Sequence, residues 1–257
     1  MPAGSGSLTE AARGALDGVF DPELDEPITD LGFVRSVEAD ARGRLTVRLR
    51  LPTSFCSPNF AYLMASDAKD VLSALPGVSA VVVVLDDHHD SDLINRGLAA
   101  DAGYRGTFGA EAERDLEDLR RTFRRKAHAA AMERALTRLL RARPELAEEA
   151  LCEVVLGDLP DDDATRALLR RRAAYGLGTS PADHVLVGDD GRRLPPAEVP
   201  VRLRFARAVR ISIDGNAHFC RGLLRTRYPD STTDQAPRPW DATRPADRAD
   251  SPKENVS

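Results

Sequence analysis

The sequence predicts an α+β protein: an N-terminal α-β-β-α-β unit, then a mostly helical segment, a short β segment and a disordered tail. Three observations predict the N-terminal unit. A capping-box signature, Ser7-Leu8-Thr9-Glu10, opens a run of apolar residues at helical spacing. Two segments with strand character flank a glycine turn at Gly43. A further helical pattern then leads through Pro76-Gly77 into an apolar run with valine at positions 81 to 84.

Each element has a local cause. Ala12, Ala15, Leu16 and Val19 recur at helical intervals, and Pro22 keeps Asp21 out of the helical region. Residues 34–39 read as a strand. Leu45, Val47, Leu49 and Leu51 alternate with Thr46, Arg48 and Arg50, which is a half-buried strand, and the two pair as a hairpin. Ser57 is placed as N-cap and Pro58 as the first helical residue of a helix whose apolar face is Ala61, Met64, Ala68, Val71, Leu72 and Leu75. Residues 79–85 form a buried strand.

Four regions follow: 1–100 as the α+β domain, 101–109 as a Gly-rich linker, 110–228 as a helical and then β extension, and 229–257 as a disordered tail. In the extension, residues 116–140 read as one long helix or a broken pair, and 145–156 and 164–175 as two more, with Gly157 and Gly176 as stops. Residues 185–187 are a short strand candidate. Val201, Leu203, Phe205, Val209, Ile211 and Ile213 fall on odd positions, with Arg202, Arg204 and Arg210 on even ones, which predicts a strand ending at an Asp214-Gly215-Asn216 turn. From Asp230 the chain is rich in Pro, Asp, Arg and Thr, a composition that buries too little apolar surface to fold.

Composition bounds the function. The 257 residues are 42% hydrophobic, 30% charged and 5% aromatic, with a net charge of -5. That acidity argues against nucleic acid as the main partner, because phosphate binding needs clustered positive charge. The run of arginines from Arg120 to Arg143 is read as a solvated helix face or as a surface for an acidic partner. No apolar run is long enough to span a bilayer, and the N-terminus lacks a secretory pattern. Three cysteines, Cys56, Cys152 and Cys220, are no disulfide framework, so a cytoplasmic location is expected. They also fall short of a four-cysteine cluster site within one chain. There is no phosphate-binding glycine loop, no Gly-x-Ser-x-Gly elbow and no His-Glu-x-x-His helix.

Cys56 carries the most information. It lies just before a helix N-terminus, where unpaired N–H groups and the helix dipole favour an anion, so a thiolate there could attack an electrophile or bind iron, zinc or a cluster. The alternative is a small buried core residue.

Four separated motifs occur in order: Asp21-Pro22-Glu23-Leu24; Ile28-Thr29-Asp30-Leu31-Gly32-Phe33-Val34; Pro52-Thr53-Ser54-Phe55-Cys56-Ser57-Pro58; and Leu75-Pro76-Gly77-Val78 before the valine strand. Together they resemble the iron–sulfur cluster assembly domain family of PaaD and SufT, which includes the MIP-eighteen group, over about residues 8–99. The resemblance implies a small α+β domain that assists maturation of iron–sulfur or other iron proteins, with Cys56 handling iron or a cluster transiently and Asp21 and Glu23 near it. It also implies a homodimer, other assembly proteins as partners, and an apo-protein client, an iron-dependent oxygenase in PaaD-like relatives. The chain departs from the family pattern at Phe33, at Ser57 between Cys56 and Pro58, and in the acidic and histidine segment 86–92, as a divergent branch would.

Two further constellations remain. His88 and His89, among carboxylates, are candidate metal ligands beside Cys56, although adjacent residues on an extended chain point to opposite sides. The alternative is a solvated loop in which Asp87 or Asp90 caps a helix starting near Leu93. His218 and Cys220 could chelate or could simply end a strand, and Cys152 reads as core. The expected function is a non-enzymatic assembly factor. The competing readings are a scaffold or chaperone-like interaction protein for an operon partner, with Cys56 only packing, and, third, a thiol enzyme using Cys56 as nucleophile.

Overall fold

A computed structural model describes residues 5–109, 112 and 116–229. The expected tail from Asp230 lies outside them. Helix α1 (Ser5–Leu16) turns Leu8, Ala12 and Leu16 inward at i, i+4 spacing. Strands β1 (Phe20–Asp21) and β2 (Glu26–Pro27) form a two-residue antiparallel ribbon. Its turn is held by the Asp21 carboxylate, which accepts the N–H groups of Glu23 and Leu24, both at 2.8 Å.

Strands β3 (Val34–Ala39) and β4 (Arg44–Arg50) make the expected hairpin, with Gly43 at φ 78° in its turn. A Cβ at Gly43 would stand 2.3 Å from the Gly77 carbonyl oxygen, so the turn demands glycine twice, for its conformation and for its closeness to the next loop. Helix α2 (Pro58–Ser73) crosses over to strand β5 (Ala80–Asp86), which pairs parallel with β4 in the order β3-β4-β5. Leu45, Val47, Leu49, Val83 and Leu85 of the sheet meet Ala61, Met64, Ala65, Ala68 and Leu72 of α2 and the inner face of α1 in one core. The α-β-β-α-β order predicted from the sequence holds.

The region after β5 differs from expectation in four places. Residues 101–109, expected as a linker, contain helix α4 (Gly103–Phe108), which follows α3 (Ser91–Ala99). Tyr104 and Phe108, one turn apart, pack their rings against Tyr62 of α2 at 5.5 and 5.7 Å, and this apolar contact outweighs the poor helix propensity of the glycines. Residues 145–156, expected as a helix, form short 3₁₀ turns at Glu148–Glu153 and Leu156–Asp158. Their buried residues Leu151, Cys152, Val154 and Leu156 lack a helical period. The 185–187 candidate makes only isolated bridges, Val155 with His184 and Val187 with Arg193.

The largest correction concerns the short β segment. Residues 201–213 belong to a 29-residue helix, α7 (Val199–Arg227), and Asp214-Gly215-Asn216 is its middle, not a turn. The buried residues are Val199, Leu203, Ala206, Ile213, Ala217 and Leu224, a helical series that includes two alanines. The alternation arose because larger residues, Val201, Phe205, Ile211 and Phe219, lie on the exposed side. Helices α5 (Leu116–Ala142), unbroken, and α6 (Asp163–Tyr175) match the pattern. With the first half of α7 they build a second core around Met132, Leu136, Leu139, Leu168, Leu203 and Ala206. The second half of α7 sends Ala217 and Leu224 into the first core, so one helix joins both.

Helix α6 begins at Asp162, whose carboxylate accepts the Thr165 N–H at 2.9 Å and pairs with Arg138 at 2.7 Å. Asp162→Ala is expected to cost about 1–2 kcal/mol, read as a lower urea midpoint with an unchanged slope.

Candidate functional site

Cys56 sits in the loop between β4 and α2, half-buried, one residue before the N-cap Ser57. The placement follows from the sequence: β4 ends at Arg50, Pro52 cannot extend a sheet ladder, and Pro58 fixes the first helical residue. The Ser57 carbonyl accepts the N–H groups of Phe60 and Ala61 at 2.9 and 3.1 Å, which anchors the helix start. Thr53 Oγ1 lies 3.5 Å from Cys56 Sγ. Phe55 is 82% exposed and stacks on the His89 ring at 5.9 Å.

The loop leaving β5 is fastened to this one. Asp86 ends β5 with its carboxylate held by Arg48 at 2.5 and 3.0 Å and by Arg35 at 3.1 Å. The His89 N–H donates to the Ser54 carbonyl at 2.9 Å. His88 is buried, and its Nδ1 accepts the Asp90 N–H at 3.0 Å. That bond puts the ring proton on Nε2, which donates to the Cys56 carbonyl at 2.8 Å. His88 thus has both nitrogens engaged and fixes the backbone of Cys56, while His89 is exposed with its ring on Phe55. Asp90 is the N-cap of α3 without a side-chain capping bond.

A third wall comes from α7, far later in the chain. Arg227 donates to the Leu51 carbonyl at 3.1 Å, to Ser54 Oγ at 2.9 Å and to the Asp87 carbonyl. The Tyr228 hydroxyl donates to the Asp87 carboxylate at 2.9 Å, and Arg50 stands 5.0 Å over the Tyr228 ring. Asn216 donates to the Glu23 carboxylate at 3.3 Å, and Arg221 pairs with Glu26. Cys220, half-buried, belongs to the same core as Cys56.

Burial raises the Asp21 carboxyl to about 6, against the pull of the Leu24 and Glu23 N–H groups. Burial, with Asp21, Cys56 and Glu23 adding repulsion and Arg221 opposing, pushes the Cys220 thiol up to about 11. Three of the residues singled out in the sequence, Asp21, Cys56 and Glu23, thus act on a fourth, Cys220. Among the described residues no three His, Cys, Asp or Glu side chains are grouped to hold a metal ion. His218 is exposed, and an offset of two residues puts it on a different side of α7 from Cys220. Cys152 is buried, as expected, with its thiol donating to the Glu149 carbonyl at 3.2 Å. Arg227 and Tyr228 were not visible as site residues, since only the return of α7 brings them to the loop. No described helix is long and apolar enough to cross a membrane.

An α+β domain with a half-buried cysteine at a helix start defines the class of this unit. The family model of the iron-sulfur cluster assembly protein matches residues 9–84. Over 81 residues the chain is 40% identical to an iron-sulfur cluster carrier protein of Mycobacterium tuberculosis, covering 32% of this chain and 21% of that protein. The chain thus spans about a fifth of the length of these mycobacterial relatives. Over 79 residues it is 34% identical to an uncharacterized protein of Methanocaldococcus jannaschii, covering 31% of this chain and 81% of that one. A solved domain of unknown function from Bacillus anthracis is 26% identical and covers 39% of this chain and 96% of its own, with a TM-score of 0.31. By its N-terminal part, the chain belongs to the iron-sulfur cluster assembly protein family.

Proposed function

We propose that this protein is an iron–sulfur cluster or iron assembly factor that takes its cargo transiently at Cys56 and passes it to an apo-protein. The observation that carries this reading is the single half-buried thiol at the helix start of the family domain, in a loop held from two sides by His88 and Arg227. The chemistry is ligation and exchange. The Cys56 thiol loses its proton and its sulfur bonds to iron. The remaining iron positions go to sulfide, to other thiols and finally to the client's ligands. One or two protein sulfurs hold a cluster less firmly than four, so transfer to a client that offers more ligands runs downhill. Only metal–ligand bonds are exchanged and the cargo passes on without conversion to another product, which is the sense in which the protein is not an enzyme.

The finer points of the proposal are a cytoplasmic site of action, a homodimer whose second chain adds ligands, other assembly proteins as donors, and a client of the iron-dependent oxygenase class recognised by the extension 110–228. The test is anaerobic reconstitution of the full chain with iron and sulfide, read by absorption and Mössbauer spectra, together with maturation of a client. Cys56→Ser is expected to keep the fold and client binding while cluster loading and delivery fall at least tenfold, about 1.4 kcal/mol or more. A Cys56→Ser chain that matures its client at the normal rate overturns the reading in favour of a scaffold.

A further inference from the structure

We propose that Cys220 is a second sulfur ligand for the cargo of Cys56, so that the C-terminal helix completes from outside the family domain a site the domain only begins. The proposal rests on the reading of Cys56 as the cargo-binding thiol.

The register of α7 over the site is fixed at several points. Asn216 is bonded to Glu23, Arg221 to Glu26, and Arg227 to both loops around Cys56. Cys220 lies one turn after Asn216 and two turns before Arg227, so these three share a face of α7. That face is the one against the family domain, because Ala217 and Leu224, one residue turn to either side, are in its core. Cys56 and Cys220 are both half-buried and pack against that same core.

A soft cation selects two sulfurs over the neighbouring carboxylates. Two thiols without a third side-chain ligand suit cargo in transit. They take up two positions on the metal and leave the others to sulfide, a small thiol or the client. Binding breaks two S–H bonds, forms two S–metal bonds and sends two protons to solvent, and no electrons are exchanged.

The test is a titration of the reduced full chain with Co(II), without oxygen, read by the sulfur-to-metal charge-transfer band and by proton release in weak buffer. Two-sulfur binding is expected to release about two protons per ion in the unsubstituted protein and about one in Cys220→Ser, with the band falling about twofold. Cys220→Ala should behave like Cys220→Ser, and a normal thermal transition in either shows that the fold is kept. Unchanged band and proton count in both Cys220 variants, with loss in Cys56→Ser, overturns this inference and leaves the Cys56 reading standing. A band that survives Cys56→Ser at full strength, or no band in the unsubstituted protein, overturns the Cys56 reading itself.

Discussion

Arg227→Ala is expected to raise the rate at which iodoacetamide alkylates Cys56 by about tenfold, without a comparable loss of global stability. The guanidinium spans two loops at once: Leu51 and Ser54 on one side, Asp87 on the other. Its planar fork meets three acceptors in fixed directions, which a lysine ammonium reproduces only in part, so Arg227→Lys should fall between the alanine variant and the parent. Each hydrogen bond to a charged donor contributes about 1.5–3 kcal/mol, and the half-exposed setting discounts this toward the lower end. The Tyr228 bond to Asp87 remains in the variant and keeps the helix end near the loop. Mass spectrometry of the Cys56 peptide reads the rate directly, and Arg225→Ala, an exposed residue on the same helix, is the control. Equal rates in Arg227→Ala and the parent would mean that the α7 end does not shield the thiol. The function follows the same geometry. On the proposed reading, in which Cys56 takes up iron, the alanine variant should also load iron faster.

What could be read from the sequence, and what could not, divides by the range of the interaction. The hairpin, α2 and the valine strand were legible because each is specified within a few residues. Alternation at 45–51, Ser57 and Pro58 at a helix start, and Pro76-Gly77 at its end are local signals. Cys56 as a candidate followed from the same local rule. Helix α7 was misread because its buried face uses Ala206 and Ala217 where large residues were sought, while Val201, Phe205, Ile211 and Phe219 face outward. Helix α4 was hidden by its glycines, although Tyr104 and Phe108 at i, i+4 were a usable signal. The role of Arg227 was beyond any local pattern, since it bonds to a residue 176 positions away. His88 was singled out as a candidate metal ligand, and its bond to the Cys56 carbonyl was not foreseen. That its ring would be engaged at both nitrogens depends on the loop conformation after Asp87, a residue in the left-handed region at φ 53°.

The second core should make stability depend on pH through His128. This residue of α5 is buried, stacks on Tyr175 at 5.9 Å, and has no hydrogen-bond partner at either ring nitrogen. Burial first, then the guanidinium groups of Arg172 on α6 and Arg202 on α7, lowers its imidazole to about 4, with Asp189 acting in the opposite sense. In the unfolded chain the imidazole takes a proton as pH falls through 6.5, whereas in the folded chain it resists until about 4. Stability is therefore lost across that window, by up to about 3 kcal/mol, and is flat above and below it. Asp21 works the other way. Its carboxyl, raised to about 6 by burial, protonates in the folded chain before the unfolded one, so its contribution improves as pH falls from 6 towards 3.8. The two windows overlap, and the unsubstituted protein should show a shallow net dependence that conceals both. His128→Phe keeps a ring against Tyr175 and removes the titration. Its stability relative to the parent, from urea unfolding, should rise by about 3 kcal/mol between pH 7 and pH 4. A difference that stays constant over that range would show that His128 is charged in the folded core at acidic pH, with Asp189 outweighing burial and the two arginines.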